Sequence, residues 1–239
     1  GRFWLDGGAM MGNVPKVLWN KTNPSDKYNR IELALRCLLL DNGQKRVLIE
    51  TGLGKKINSK FIKMFNIKQT RDPLKDALNA KSYNVEDISD VILTHLHFDH
   101  AGGATTFDEL NNIVPTFPNA VYHVSESNWE LGSNPNPRDK ASYLKDNYIP
   151  LKKFNQLSLV PDNSIIMEDI STIIVDGHTF GQQLIKIDGN DETLIFCSDL
   201  IPLKSHIKIP WIMGYDLNAY LTLQEKTTFL KEACNKKWW

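Results

Sequence analysis

The chain has 239 residues, 41% of them hydrophobic, with 28 Lys+Arg against 28 Asp+Glu and a formal net charge of +0. That is enough chain for one substantial α/β domain with a buried core, or two small ones, in an ordinary globular composition. The neutral balance argues against a dedicated nucleic-acid or membrane-surface binder, and no apolar run approaches the roughly 18 residues that span a bilayer, so neither nucleic acid nor membrane is expected as a partner.

Cys37, Cys197 and Cys234 are widely spaced. They form neither a zinc-ribbon pattern nor a disulfide framework, which fits a reducing compartment and predicts a cytoplasmic protein. The chain opens at Gly1 and runs at once into Phe3-Trp4-Leu5, and it closes on Lys236-Lys237-Trp238-Trp239. Both ends read as cuts within structured sequence, which leaves a secreted or periplasmic destination open.

No internal repeat is visible. The apolar runs 33–40 and 45–50, separated by Asp41-Asn42-Gly43-Gln44, predict a hairpin. The Lys-rich stretch 55–65 has apolar positions at helical spacing and predicts a surface helix. Asn84-Val85-Glu86-Asp87 reads as an Asn-capped short helix leading into a strand, Asp90–Thr94. A helix is expected near 104–111 and a strand at 120–124, followed by a largely helical region to about 148, interrupted by the Asn- and Pro-rich stretch Gly132–Arg138. Short strands are expected at 172–176, 183–188 and 193–197, the last two joined through Gly189-Asn190-Asp191, and a helix from about 222 to 235. Hairpins and helices in this order predict two sheets covered by helices rather than a doubly wound parallel sheet.

The chemistry concentrates after the strand at 90–94. Thr94-His95-Leu96-His97-Phe98-Asp99-His100-Ala101-Gly102-Gly103 puts three of the six histidines and a carboxylate within six residues. His95 and His97 alternate onto one side of an extended segment, and the following turn brings Asp99 and His100 round. Imidazole with carboxylate suits Zn²⁺ and its first-row neighbours, so His95, His97, Asp99 and His100 are read as metal ligands. Two later fragments, Asp176-Gly177-His178-Thr179-Phe180-Gly181 and Ser198-Asp199-Leu200, each follow a strand. Alone each is more often a turn or cap; beside the first motif, His178 and Asp199 become candidate ligands.

Together these fragments resemble the metallo-β-lactamase-fold hydrolase superfamily. The resemblance extends to Leu5-Asp6-Gly7-Gly8, the Thr51-Gly52 turn, Asp199-Leu200-Ile201-Pro202, Pro210-Trp211 and Tyr215-Asp216, and looks closest to the branch related to acyl-homoserine-lactone lactonases. It implies an αββα sandwich of two mixed sheets flanked by helices, as a single domain over 1–239 lacking a C-terminal strand and helix. It further implies a dinuclear metal-dependent hydrolase. His95, His97 and His178 would hold one divalent ion, Asp99 and His100 a second, and Asp199 both. Zn²⁺ is expected, with Mn²⁺, Fe²⁺ or Co²⁺ as alternatives. A metal-bound hydroxide would attack a small-molecule lactone or ester, with Asp99 as the catalytic proton carrier. A homodimer is compatible with this reading. Alternatives are a phosphodiesterase or nuclease with the same metal pair, and a catalytically impaired binding protein.

The pattern departs from the superfamily at three places. No His follows His206, where a last ligand is usual; His206 reads first as a pocket or loop-anchoring residue and second as a substitute ligand. Glu50 replaces the usual Asp of the Asp-Thr-Gly turn and is expected to orient a ligand imidazole with a longer reach. Pro202 and Leu203 stand where some lactonases have a Tyr. His123 reads as structural or surface, and Trp211, Met213 and Tyr215 as core before pocket wall.

Overall fold

The computed structural model describes all residues from Gly1 to Trp239. Cα packing divides them into two compact units, one of Gly1–Phe3 with Leu33–Val160, the other of Trp4–Glu32 with Pro161–Trp239. Strands β1 (Arg2–Asp6) and β2 (Arg30–Ala34) pair as a two-stranded sheet.

The first unit is built on a five-stranded sheet. Strands β3 (Leu38–Asp41) and β4 (Arg46–Ile49) form the expected hairpin, with Leu38 opposite Ile49 and Asp41 opposite Arg46. The apolar run 33–40 is split between β2 and β3, not continuous as its composition suggested. Strand β5 (Asp90–Ile92) lies parallel to β4. The expected helix at 104–111 is instead a hairpin of β6 (Thr105–Phe107) and β7 (Ile113–Pro115). The reason is local. β-Branched Thr105 and Thr106 favour an extended chain, and the Asp108 carboxylate accepts from the Leu110 and Asn112 N–H groups to close the turn. Strands β8 (Val121–Ser125) and β9 (Leu157–Val160) complete the sheet in the order β3-β4-β5-β8-β9, parallel from β4 onward. Val91, Leu93, Tyr122 and Val124 meet Trp129, Tyr148 and Leu151 in its core.

The expected surface helix at 55–65 is a shorter one, Ser59–Met64, capped by Asn58. The region after β8 is helical only in pieces: Glu126–Ser133, two 3₁₀ turns and Ile149–Lys153.

The second unit carries an antiparallel four-stranded sheet, β10 (Ile165–Met167), β11 (Ile170–Val175), β12 (Gln182–Asp188) and β13 (Thr193–Phe196). The C-terminal helix Ala219–Lys236 starts at Asn218, whose side chain accepts from Leu221 N–H. Its Phe229 joins Val175, Leu184, Ile195 and Leu200 in a second core. No helix is long and apolar enough to cross a membrane.

Candidate metal centre

In the first unit the motif leaves the C-terminal end of β5, where the sheet stops supplying main-chain partners. Leu96 is fully buried in the core, which turns its neighbours His95 and His97 away from it. Buried Asn128 holds this register by accepting from the Leu96 N–H at 2.9 Å. The two imidazoles then meet, His95 Nε2 lying 3.1 Å from His97 Nδ1, while Thr94 Oγ1 lies 3.0 Å from His95 Nδ1. A short helix, Phe98–Ala101, carries Asp99 and His100 round, and the ligand nitrogens of His95 and His100 come within 4.8 Å.

That helix is gripped by the Glu50-Thr51-Gly52 turn. The His100 carbonyl accepts from both the Thr51 N–H at 2.9 Å and the Thr51 hydroxyl at 2.7 Å. Glu50, 2% exposed, accepts from the Thr94 N–H at 3.0 Å and lies 3.1 Å from His100 Nδ1. A carboxylate only accepts, so Nδ1 carries the proton, and in the neutral form of the ring the lone pair is on Nε2. That nitrogen lies 3.7 Å from Asp99 Oδ2.

The same logic recurs in the second unit. The turn after β11 is held by Glu225, whose carboxylate accepts from the Asp176 and Gly177 N–H groups at 2.7 and 3.1 Å. Only glycine fits at 177, where a Cβ would lie 2.4 Å from the Thr222 nitrogen. His178 Nδ1 lies 2.9 Å from Asp216 Oδ1, and its Nε2 lies 3.3 Å from Asp199 Oδ2. Asp199 sits on a 3₁₀ turn after β13, and the buried Gln182 amide oxygen can accept from the Asp199 and Leu200 N–H groups at 3.1 Å.

Each unit therefore holds a histidine whose Nδ1–H is anchored by a buried carboxylate while Nε2 faces another carboxylate. A lone pair facing a carboxylate oxygen is an arrangement that a bound cation would satisfy from both sides. Carboxylate–histidine pairs of this kind fix ring and tautomer at metal sites. The donors are those that suit zinc-like ions, and the residues fit a metal.

His206 is buried, and its Nε2–H donates to the Met10 carbonyl at 2.9 Å; burial holds its pKa below the ordinary value. His123 pairs with Asp90 at 2.9 Å in the sheet. Trp211 and Met213 are buried, whereas Tyr215 is exposed. Sequence reasoning assigned no role to Asn128, Asp216, Glu225 or Gln182. Tyr215-Asp216 was visible only as a shared dipeptide; the others carry no local signature.

The Metallo-beta-lactamase superfamily profile matches residues 33–233, and the chain belongs to that superfamily, with its fold and its metal-binding type of donor set. It is similar to a probable metal-dependent hydrolase from Staphylococcus aureus at 28% identity, with a TM-score of 0.92 over 100% of this chain and 84% of that one. It also matches an N-acyl homoserine lactonase from a Bacillus species, 24% identical over 167 residues, 66% of this chain and 60% of that protein. The match to the Bacillus cereus N-acyl homoserine lactonase is 23% identical and covers 70% of this chain and 63% of that protein, so this chain spans less than two thirds of either curated relative. The fold is shared with AidC, a dizinc quorum-quenching lactonase in complex with a product, at a TM-score of 0.78 and 20% identity over 100% of this chain and 82% of that one.

Proposed function

We propose that this chain is a metal-dependent hydrolase that opens a lactone or ester bearing an apolar acyl arm. The observation that carries the reading is the pair of anchored histidines, His100 and His178, each turning Nε2 toward a carboxylate. His95, His97 and His178 are assigned to one divalent ion, Asp99 and His100 to a second, and Asp199 to both. This division follows the family, and Zn²⁺ is the first candidate. When bound, such ions supply a water acidified toward neutrality and a Lewis acid for the substrate carbonyl.

The chain's own residues do the rest. Asp99, partly exposed, takes the proton of the attacking water on its carboxylate and returns it to the leaving oxygen. Glu50 and Asp216 hold the His100 and His178 rings. Beside the motif, Leu53, Ile57, Phe61, Phe98 and Leu144 line a pocket together with Lys56, Asn58 and Asn147, with Phe61 and Phe98 edge to face at 5.5 Å. The lining is mostly apolar, and the Lys56 ammonium is already engaged by the Gly102 and Thr105 carbonyls, which favours an acyl arm over a phosphodiester backbone.

The test is reconstitution with Zn²⁺, Mn²⁺ or Co²⁺, followed by parallel lactone, ester and nuclease assays. Lactone opening that is lost on chelation and restored by metal is expected. Chelation-resistant turnover would overturn the mechanism, and nuclease activity alone would move the substrate class. Binding of one ion or none, without turnover, would make this a binding protein on the same fold.

A further inference from the structure

The turn carrying His178 is fixed by three successive residues of a strap that ends at the C-terminal helix. Asp216 holds Nδ1, the Leu217 N–H donates to the His178 carbonyl at 3.1 Å, and the Asn218 N–H donates to the Gly177 carbonyl at 2.9 Å. Between the 3₁₀ turn Lys204–Ile207 and Ala219 the strap has no helix or strand of its own. Its shape must come from elsewhere.

Part comes from the Gly7–Met11 helix, whose Ala9 carbonyl accepts from the Gly214 N–H at 2.8 Å and whose Met10 carbonyl accepts from His206. The middle of the strap is held by Lys226. Its side chain is 0% exposed, and its ammonium donates to the Trp211 carbonyl at 2.5 Å and the Lys208 carbonyl at 3.2 Å. Burying an ammonium is expensive unless its donors are used, and an aliphatic side chain would fill a core position without that penalty. Burial lowers the Lys226 pKa to about 8, with the Asp216 charge opposing the shift.

Lys226 adjoins Glu225, whose carboxylate grips the Asp176 and Gly177 N–H groups just before His178. Two consecutive side chains of one helix thus hold the two segments that have to meet. Glu225 sets the turn carrying the imidazole, and Lys226 sets the strap carrying its orienting carboxylate.

We propose that Lys226 is a positioning residue, clamping the 208–216 strap against the C-terminal helix so that Asp216 holds the His178 ring in its ligand orientation. The inference rests on the proposed metal site for its purpose, but its geometry lies wholly within the second unit.

The test compares the unaltered chain with Lys226→Met and Lys226→Arg, using two readouts. In metal-free protein, long-range ¹H–¹⁵N spectra report the His178 ring nitrogens, with His123 as an internal control. Co²⁺ affinity is measured by chelator competition. Lys226→Met is expected to keep its circular dichroism and its His123 signals, lose the carboxylate-bonded Nδ1–H signature of His178, and bind Co²⁺ about tenfold more weakly. Lys226→Arg, which keeps a buried cation with donors, is expected to retain that signature and most of the affinity.

An unchanged His178 signature with unchanged Co²⁺ affinity in folded Lys226→Met would overturn the proposal. Should Lys226→Met not fold, Lys226→Gln carries the test, and an unchanged His178 signature with unchanged Co²⁺ affinity there overturns the clamp. If the unaltered chain binds no Co²⁺, the functional reading falls, and the His178 signature still decides the role of Lys226.

Discussion

Glu50 and His100 stand fifty positions apart in sequence, yet Glu50 Oε2 lies 3.1 Å from His100 Nδ1 while Oε1 accepts from the Thr94 N–H. One buried carboxylate therefore ties the strand end before the motif to the last histidine within it. The residue reaches both because its backbone turns through φ 69°, just as β4 ends.

Glu50→Gln separates the anion from the shape. The amide oxygen still accepts from one partner, but the charge that keeps His100 Nδ1 protonated is gone. Metal affinity is expected to fall about 10- to 100-fold. Competition with a chromophoric chelator reads this directly, alongside an unchanged circular dichroism spectrum. Affinity equal to that of the unaltered chain would show that Glu50 supports the fold alone.

Asp99→Asn removes the proposed proton carrier while nearly preserving volume. On the proposed lactone substrate, kcat is expected to drop about 10²- to 10⁴-fold, the range of general acid–base catalysis. If Asp99 also ligates a metal, bound metal per chain falls in the same variant. Turnover within twofold of the unaltered chain would remove Asp99 from the mechanism.

Gly54 tests how closely the turn after Glu50 approaches the motif. Its φ is +63°, and a Cβ there would lie 2.5 Å from the Gly102 carbonyl oxygen and 2.7 Å from Gly103 Cα. Gly43, at φ +85°, has nothing within 4 Å and serves as the control. Gly43→Ala is expected to lose about 1 kcal/mol from the backbone alone. Gly54→Ala adds a clash that neither main chain can yield to, for a total above about 2 kcal/mol. Urea denaturation of the two variants measures the difference.

The candidate motif was legible because its pattern is local: alternating histidines, an Asp and a glycine pair, all within ten residues. Strand ends at 92, 175 and 196 were legible because β-branched runs stop at turn residues. The stretch 104–111 was misread as helical because one side chain, Asp108, closes a turn by accepting from the Leu110 and Asn112 N–H groups, a local choice that apolar periodicity does not report. The groups that hold the histidines were mostly silent for a different reason, their distance along the chain. Asp216 lies 38 residues from His178 and Asn128 lies 32 from Leu96, and neither distance leaves a pattern in one sequence. Glu50 was the exception, because the preceding strand and the Thr-Gly turn mark its place.

Asp90 and His123 give a prediction in which pH supplies the sign. Asp90 is 4% exposed, with Oδ1 2.9 Å from His123 Nε2, and Oδ2 2.9 Å from Ser89 Oγ and 3.4 Å from Lys45 Nζ. Burial alone would raise its pKa, but the His123 and Ser89 hydrogen bonds and the Lys45 charge outweigh it and hold the carboxyl below the ordinary 3.8. A carboxyl depressed by folding stabilises the native state at pH values above its unfolded pKa, and that contribution is lost as pH falls through the folded value. Asp90→Asn is therefore expected to lose about 1–3 kcal/mol at pH 7, the worth of hydrogen bonds to a charged group. The gap to the unaltered chain should narrow only below about pH 4. Lys45 is 55% exposed at its side chain, so solvent screens its share, and Lys45→Met should change stability by less than about 1 kcal/mol. Thermal melts of the three proteins from pH 3 to pH 8 check both statements; a gap that stays constant down to pH 3 would show that the Asp90 charge contributes nothing to the native state.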